Sequence, residues 1–389
     1  MTLNGKGSRA IQEVLSAIKV ASPHEFAFAG RTFNVHGAGH QHAGHQHAEH
    51  QHGGHQHAAH QHDGHQHEGH QHAGHQHAGD HAGHQHVGHA APDPQAQAFV
   101  ATLSAYLYEY AYSHPFRAPL PEFGAHDLSI DFPLLEAMSL ANTTRERWEH
   151  GWTIGQVLPQ GQIKAQKGTI ERNLWPGQFV SKDGPASMPR QGAEISVFYA
   201  RESRSLQTGF YYAFGEAAED DTSGFGLVRL YWNVSYEGAP RLIGLLTSRL
   251  NRFHVPFRLK SVTARSQFAR TDVAVVYLAK PFFRITAELM LDVHPEIEDA
   301  LGDDVPLFSK KVAKGLGVAE DPGTGESFGQ SRCRRLAESV WNCYQRGEQT
   351  TTARWKEFHR LLQERGIDPE HPHLNAGSLD WYELPSEVA

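Results

Sequence analysis

A histidine-rich repeat limits what this chain can fold into more than any other feature, because it removes a long stretch from every hydrophobic core. Of the 30 histidines in 389 residues, 21 lie between His36 and His89, in units such as AGHQHA and EHQHG with a period of five. The repeat has almost no aliphatic side chains, so it cannot bury enough apolar surface to offset the entropy lost on ordering. We therefore predict that residues 36–97, the repeat and its exit linker, are a disordered insertion in a surface loop.

Three interpretations of the repeat stay open at the sequence level. Imidazole binds nickel, zinc and copper, and paired H-x-H units would offer many weak, interchangeable metal sites. A repeat expansion without a selected role explains the same pattern, and a pH response is the third interpretation, because imidazoles titrate near pH ~6.5. The tract fixes no ligand geometry, so no histidine is assigned singly; the first units contain His40, His42, His45 and His47. For the folded domain we expect no cofactor.

Charge, hydropathy and cysteine content narrow the class of protein. The net charge of −8 argues against general nucleic-acid binding. No apolar run approaches the roughly 18 residues that a membrane span needs, so we expect no membrane partner. The two cysteines, Cys333 and Cys343, fall on one predicted helix, where they would not face each other at bonding distance. Free thiols without a secretory signal favour a cytoplasmic location.

The rest of the chain predicts the α+β class, because helical and strand patterns alternate without a regular βαβ order. We expect a single large domain with a mixed, mainly antiparallel sheet and flanking helices, built from residues 1–35 (a helix–strand portion) and 98–389 (the main body). Apolar spacing predicts helices at residues 11–18, 99–112, 127–142, 240–253, 282–293 and 351–365. Alternating patterns and glycine punctuation predict strands at residues 26–33, 152–158, 162–166, 169–174, 194–200, 209–214, 226–234, 257–262 and 273–278.

The segment Pro306–Gln345 reads as a glycine-rich, charged loop that runs into a helix. Ser327 and Gln330 are spaced as a capping box, which predicts the start of that helix. Free backbone N–H groups at a helix start, with lysines and arginines nearby, form a natural anion site. An ordinary surface loop that caps a helix explains the same residues, and the segment contains no G-x-x-x-x-G-K-[ST] motif.

Charged and aromatic residues lie in or next to three of the predicted strands. Arg229 and Tyr231 share one face of the strand at 226–234, which is unusual for a plain solvent face. Lys260 points opposite to its apolar neighbour in FRLKSV. Arg270 and Asp272 precede an apolar run that is typical of a strand buried on both faces.

Several segments, in this order, resemble the HopA family of type III effector proteins. They are LVRLYWNVSYEGAPRLIGLLTSRLN, VPFRLK, ARTDVAVVYL, PLFSKKVAKGLGVAEDPGTGESFGQSRC and GIDPEHPHLN. The likeness covers roughly residues 99–375, with a weaker match at 10–33. Its most specific part is GLGVAEDP…ESFG…RC, and the histidine repeat departs from the family pattern.

The resemblance implies two kinds of activity. In plant pathogens the family name belongs to a secreted effector that triggers plant immunity. In biosynthetic clusters, family members act with a kinase-like protein on ribosomal peptides, as lyases that eliminate phosphate from phosphoserine or phosphothreonine. The resemblance therefore implies a phosphorylated peptide substrate and a kinase-like partner, with a secreted effector as the alternative to a cytoplasmic enzyme.

Such an elimination needs a base for the Cα proton, cations for the phosphate and an acid near the leaving oxygen. Lys260 is the candidate base, because desolvation between apolar neighbours would favour its neutral form. Tyr231 or His254 would act as the acid, and Asp272 would orient Arg270 or Lys260. The candidate phosphate ligands are Arg229, Arg270, Lys310 and Arg332.

Simpler roles are open for the same residues. Arg229 and Arg270 would pair with carboxylates across the sheet, and Lys260 would extend along a sheet edge. The lyase hypothesis predicts that Arg229, Lys260, Arg270 and Lys310 converge in one cleft. A non-enzymatic, effector-like binding domain predicts that these cations are scattered or ion-paired and that the largest concave surface is apolar.

Overall fold

The structure is a computed structural model that describes residues 5–35, 93–122, 129–184, 188–217 and 225–385. The predictions for His40, His42, His45 and His47 fall outside the described residues. The last residues of the predicted insertion are helical instead of a linker. Asp93 caps a helix that starts at Pro94, and its carboxylate accepts a 3.0 Å hydrogen bond from the Gln95 backbone N–H.

Helices and strands alternate along the described ranges as the sequence patterns predict. The α-helices are α1 (Gly5–Ser16), α2 (Pro94–Leu107), α3 (Phe132–Ala141), α4 (Ala239–Arg252), α5 (Phe283–Ile297), α6 (Phe328–Gln345) and α7 (Thr351–Gln363). The strands are β1 (Ile18–Ser22), β2 (Glu25–Phe28), β3 (Arg31–Asn34), β4 (Arg147–Val157), β5 (Ile163–Lys167), β6 (Ile170–Leu174), β7 (Phe179–Ser181), β8 (Glu194–Tyr199), β9 (Glu202–Ser203), β10 (Phe210–Phe214), β11 (Leu227–Trp232), β12 (Arg258–Val262), β13 (Ala274–Ala279), β14 (Lys310–Ala313) and β15 (Leu316–Glu320).

A seven-stranded sheet in the order β14-β15-β11-β13-β12-β10-β9 separates two hydrophobic cores. All of its strand pairs are antiparallel. Its first face packs on α3, α4 and α5, and its second face packs on α1, α2, α6 and α7. Alternation along β11 sends Val228 and Leu230 into the first core, while Tyr231 joins the second core. Arg229 has the parity of Tyr231 and therefore faces the second core.

Two smaller antiparallel sheets complete the fold. The hairpin strands β1-β2-β3 pack into the second core together with α1 and α2. The five strands β6-β5-β4-β8-β7 enclose a separate hydrophobic cluster around Trp152 and Ile163. The predicted α+β class, with helices on antiparallel sheets, is therefore confirmed, while the domain boundaries stay a prediction.

The structure corrects two local predictions. The predicted strand at 26–33 is two strands, because the chain turns at Ala29 and Gly30 with φ of 47° and 86°. The predicted loop after Pro306 contains the hairpin β14–β15, which turns at Gly315. A Cβ at Gly315 would lie 2.6 Å from the Gly302 carbonyl oxygen, so this tight turn requires glycine.

The predicted start of α6 is confirmed. The Ser327 hydroxyl accepts a hydrogen bond from the Gln330 backbone N–H, and the Gln330 side chain accepts one from the Ser327 N–H. Cys333 and Cys343 are free and buried on this helix. Among the helices of the described ranges, none is long and apolar enough to cross a membrane.

Candidate active site

A cavity of about 20 Å³ lies on the second face of the seven-stranded sheet. Strands β10 to β13 form its floor, the chain around Tyr112 forms one wall, and the N-cap of α6 forms another. The residues that line it are Tyr108, Tyr112, Phe210, Arg229, Tyr231, Lys260, Arg270, Asp272, Val273, Val275, Tyr277 and Ser327. Five residues to which the sequence assigns roles in elimination therefore meet at one site, although their roles stay predictions.

The guanidinium of Arg229 is held by a buried carboxylate. Its Nε donates a 2.8 Å hydrogen bond to Oδ2 of Asp321, and one of its amino groups donates to the same oxygen. Both side chains are almost fully buried. The guanidinium also lies 5.1 Å from the ring centroid of Tyr277, its register neighbour on β13. Arg229 thus forms the ion pair that its simpler, structural role predicts, and it also lines the cavity.

Arg270 forms a similar pair with a nearer partner. Its Nε and Nη2 donate hydrogen bonds of 2.8 and 2.9 Å to the two carboxylate oxygens of Asp272. Burial works to lower the pKa of Arg270, but the negative charge of Asp272 outweighs it and raises the pKa above its ordinary value. Arg270 is therefore a permanent cation in a fixed orientation, and Asp272 does not use its Nη1 group.

Lys260 lies on an inner strand of the sheet, because β12 pairs with β10 on one side and β13 on the other. Its side chain is 6% exposed, and its Nζ lies 3.9 Å above the ring centroid of Phe210. The interpretation of Lys260 as a sheet-edge lysine is therefore wrong.

Tyr231 follows two residues after Arg229 on the same face of β11, and its ring packs edge-on against that of Tyr112. The centroids of the two rings are 6.5 Å apart. Burial, and then the proximity of Tyr231, raise the pKa of Tyr112 well above its ordinary value. The phenol of Tyr112 thus keeps its proton at neutral pH.

Tyr108 and Tyr112 line one side of the cavity, here called the tyrosine wall, and their placement depends on an irregular end of α2. After Leu107 the chain forms one π-helical turn, Tyr108–Tyr112, in which the Ser113 N–H donates to the Tyr108 carbonyl at 2.9 Å. The rings of Tyr108 and Tyr112 stack with centroids 5.0 Å apart. Such turns often occur at functional sites. Tyr112 also lies directly against Gly329 of α6, where a Cβ would be 2.4 Å from the ring.

Three other predicted site residues do not line this cavity. Lys310 donates 2.9 Å hydrogen bonds to both carboxylate oxygens of Asp380, so the structure does not bring it to the other cations. Arg332 is fully buried and donates to the carbonyls of Pro372 and Leu374. His254 is exposed just after α4, with φ of 52°. Of the four cations expected to converge, Arg229, Lys260 and Arg270 therefore line the cavity, and Lys310 does not.

Several lining residues are missing from the sequence prediction. Tyr108 and Tyr112 belong to a tyrosine-rich helix whose pattern indicates core packing, and only the contact with β11 shows their place at the cavity. Ser327 is predicted as a helix cap, which it is, and its position at the cavity depends on the tertiary fold. Phe210 and Tyr277 occupy ordinary strand positions that give no signal in the sequence.

Comparisons with known proteins bear on the same part of the chain. A sequence model of the HopA1 effector protein family matches residues 201–374. This segment contains β11, β12 and β13 and the start of α6. The resemblance to the HopA family that the motifs indicate is thereby confirmed over these residues.

Two solved structures are also similar to this chain. One is the effector protein from Pseudomonas syringae pv. tomato strain DC3000, and the other is the effector protein from Pseudomonas syringae pv. syringae strain 61. Each is 16% identical with a TM-score of 0.39, and the alignments cover 72% of this chain and 96% and 97% of theirs. The comparison with curated proteins gives no match.

Proposed function

We propose that this protein is a lyase that removes phosphate from phosphoserine or phosphothreonine residues of a peptide by β-elimination. The observation that carries the proposal is the meeting of Arg229, Lys260 and Arg270 around one cavity with Tyr231 and Asp272. These residues come from two strands, β11 and β12, and from the loop that precedes β13. Their selection from the sequence rests on the chemistry of elimination and on the family resemblance, without reference to this geometry.

The two arginines would bind the phosphate. Arg270 keeps its Nη1 group outside the pair with Asp272, so a phosphate oxygen can accept a hydrogen bond there. Arg229 lies across the sheet face, fixed by Asp321. Preorganised cations of this kind stabilise negative charge as it develops on a leaving group. Because carboxylates already orient both guanidinium groups, this orientation does not depend on a bound substrate.

Lys260 and Tyr231 would transfer the protons. The neutral amine of Lys260 takes the Cα proton, the Cα–H electron pair forms the Cα–Cβ double bond, and the Cβ–O bond breaks with its electrons on phosphate. Tyr231 donates a proton to the departing phosphate, and the rings of Tyr112 and Phe328 pack against its ring and hold it in place. The products are a dehydroamino acid and inorganic phosphate, and the step requires no oxidant or metal.

The size of the cavity sets a condition on this proposal. A volume of about 20 Å³ holds roughly one water molecule. A phosphorylated side chain therefore needs the walls to separate, either at the stacked tyrosines or at the N-cap of α6. A kinase-like partner would supply the phosphorylated peptide, as the family resemblance implies.

A non-enzymatic binding domain is the second candidate function. The ion pairs of Arg229 and Arg270 favour it, because paired cations also serve to stabilise a fold. The family whose sequence model matches residues 201–374 is described as an effector protein family. In this case the protein would act by binding a host protein after secretion, and no reaction would be catalysed in the cavity.

Metal binding by the histidine repeat is a separate proposal that fits either function. It rests on the repeated H-x-H units between residues 36 and 89. Within the described ranges, no group of three or more histidine, cysteine or carboxylate residues is arranged to hold a metal ion. We expect the full chain to bind several equivalents of nickel or zinc in calorimetry, and a chain without residues 36–89 to bind none.

The lyase proposal is tested with a mixed library of phosphoserine and phosphothreonine peptides and the full-length protein. Mass spectrometry should detect loss of phosphoric acid, and Lys260→Ala should abolish it while Lys356→Ala, at an exposed position of α7, should not. Dehydration that persists in Lys260→Ala would keep the chemistry and overturn the assignment of the base. No dehydration with the library, even after addition of a kinase-like protein encoded nearby, would favour the binding domain.

A further inference from the structure

The ring of Tyr277 lies between two guanidinium groups. On the face of the sheet that forms the cavity floor, Tyr277 of β13 is the register neighbour of Arg229 on β11 and of Arg258 on β12. The guanidinium carbons lie 5.1 Å and 4.9 Å from its ring centroid, so they are no farther apart than the sum of these distances. Arg258 also shares this face with Lys260, two residues further along β12. A second arginine thus lies beside the cavity.

Arg258 differs from the arginines inside the cavity in its partners. Arg229 and Arg270 each bind a carboxylate. Within the described part of the chain, Arg258 has no carboxylate within salt-bridge distance, and its buried Nε has no hydrogen-bond partner. A buried N–H group that lacks an acceptor destabilises the fold. The contact with Tyr277 offsets a part of this cost, and an anionic ligand would supply the acceptor.

Solvent reaches Arg258 more easily than the other cations. It is the one residue of β12 that is partly exposed, whereas Lys260 and the remaining strand residues are buried. A ligand group can therefore approach Arg258 from outside while a phosphorylated side chain enters the cavity. The planar fork of a guanidinium suits a carboxylate, which can accept two parallel hydrogen bonds.

We propose, building on the lyase function above, that Arg258 is a specificity-determining residue that binds an acidic side chain of the substrate peptide. That side chain belongs to an aspartate or glutamate within two positions of the phosphorylated residue. An extended peptide advances about 3.3–3.6 Å per residue, so one or two residues, together with the length of the side chains, span the separation of Arg229 and Arg258. The substrate class is thus an acidic phosphopeptide.

The test compares two fluorescein-labelled phosphopeptides that differ only in having Asp or Ala at the positions next to the phosphoresidue. Binding is measured by fluorescence anisotropy and dehydration by mass spectrometry, with the full-length protein. We expect the wild type to bind the acidic peptide roughly tenfold more tightly, as for a hydrogen bond to a charged group. Arg258→Met should remove this preference but bind the neutral peptide as the wild type does. Arg252→Met is the matched control, because Arg252 also stacks on an aromatic ring but lies at the end of α4.

The two readouts separate this inference from the lyase proposal. A preference for the acidic peptide that disappears in Arg258→Met, without any dehydration, would support the acid-binding role and count against the lyase. Dehydration of both peptides with equal kcat/KM and equal binding would support the lyase and overturn the role of Arg258. An equal loss of binding for both peptides in Arg258→Met would also overturn it, because a specificity residue affects only the acidic peptide.

Discussion

The contact between Gly329 and Tyr112 leads to a quantitative prediction. Gly329 lies in the first turn of α6, and a Cβ there would be 2.4 Å from Cε1 and 2.5 Å from Cζ of Tyr112. Such distances are well inside van der Waals contact, so Gly329→Ala forces the ring to move. The ring cannot move freely, because Tyr112 is buried, stacks on Tyr108 and packs edge-to-face against Tyr231.

Two effects of the substitution oppose each other. Alanine favours the helical conformation over glycine by up to about 1 kcal/mol. Overpacking of a well-packed core costs typically about 1–3 kcal/mol. Because the displaced ring is held by several contacts, we expect the steric effect to exceed the helix propensity. Gly329→Ala should therefore lower the free energy of unfolding, measured by urea denaturation with tryptophan fluorescence.

A double-mutant cycle makes this prediction specific. In a Tyr112→Ala background the ring is gone, so the added methyl group of Gly329→Ala meets open space. The cost should then vanish and change into a small gain from helix propensity. An equal cost of Gly329→Ala in both backgrounds would refute the reasoning, because the obstruction would then lie elsewhere. The same single variant should also slow dehydration, since Tyr112 forms a wall of the cavity.

Three further predictions concern buried charges. Asp321→Asn leaves the guanidinium of Arg229 buried without its carboxylate, and we expect a loss of about 3–5 kcal/mol in the free energy of unfolding; unchanged stability in urea would contradict this. A hydrogen bond from Arg360 holds the pKa of Glu357 at about 2, below its ordinary 4.5, so Glu357 stabilises the fold above that range and the effect is lost as the pH falls towards 2. The destabilisation by Glu357→Gln should therefore shrink in unfolding experiments between pH 5 and 3. Burial lowers the pKa of His373 to about 4 from 6.5. As the pH drops from 6.5 to about 4, the unfolded chain therefore binds a proton at His373 before the folded chain does, and the free energy of unfolding falls. His373→Asn should flatten this decline, and an unchanged pH profile of stability would contradict the prediction.

Local patterns predicted the strands well, for a physical reason. The strands that the patterns predict, β4, β5, β6, β8 and β10 to β13, lie near glycines or prolines and show alternation or an apolar run, which are properties of the chain itself. The same alternation shows that Arg229 and Tyr231 share one face of β11. It does not show that β11, β13 and β12 are adjacent, and that order brings Arg229 and Lys260 to one cavity.

The hairpin β14–β15 shows where sequence patterns fail. Strand β15 contains Gly317 and ends in Glu320, and both residues are unfavourable in a buried strand. Glu320 is fully buried because Tyr382, Ser378 and the Asn375 backbone N–H donate hydrogen bonds to its carboxylate. These donors come from the end of the chain, so no window around Glu320 could reveal that its burial is compensated.

The sequence predicts Lys310 and Arg332 as phosphate ligands because they are basic residues near a helix start. In the folded chain each is close to the C-terminal segment, where Asp380 and the carbonyl of Leu374 accept their hydrogen bonds. A count of nearby charges gives no information about such partners. The predicted residues that reach the cavity lie on β11 and β12 or in the loop that precedes β13.

The π-helical turn at Tyr108–Tyr112 affects how the tyrosine wall can evolve. A π turn is an α-helical turn with one additional residue, so removing a single residue between Tyr108 and Tyr112 would restore the α-helical register. In an α-helix each residue is rotated by about 100° from the one before it, so the same deletion would swing Ser113 and its anchoring hydrogen bond away from Tyr108. A one-residue insertion or deletion is therefore enough to form or remove the wall.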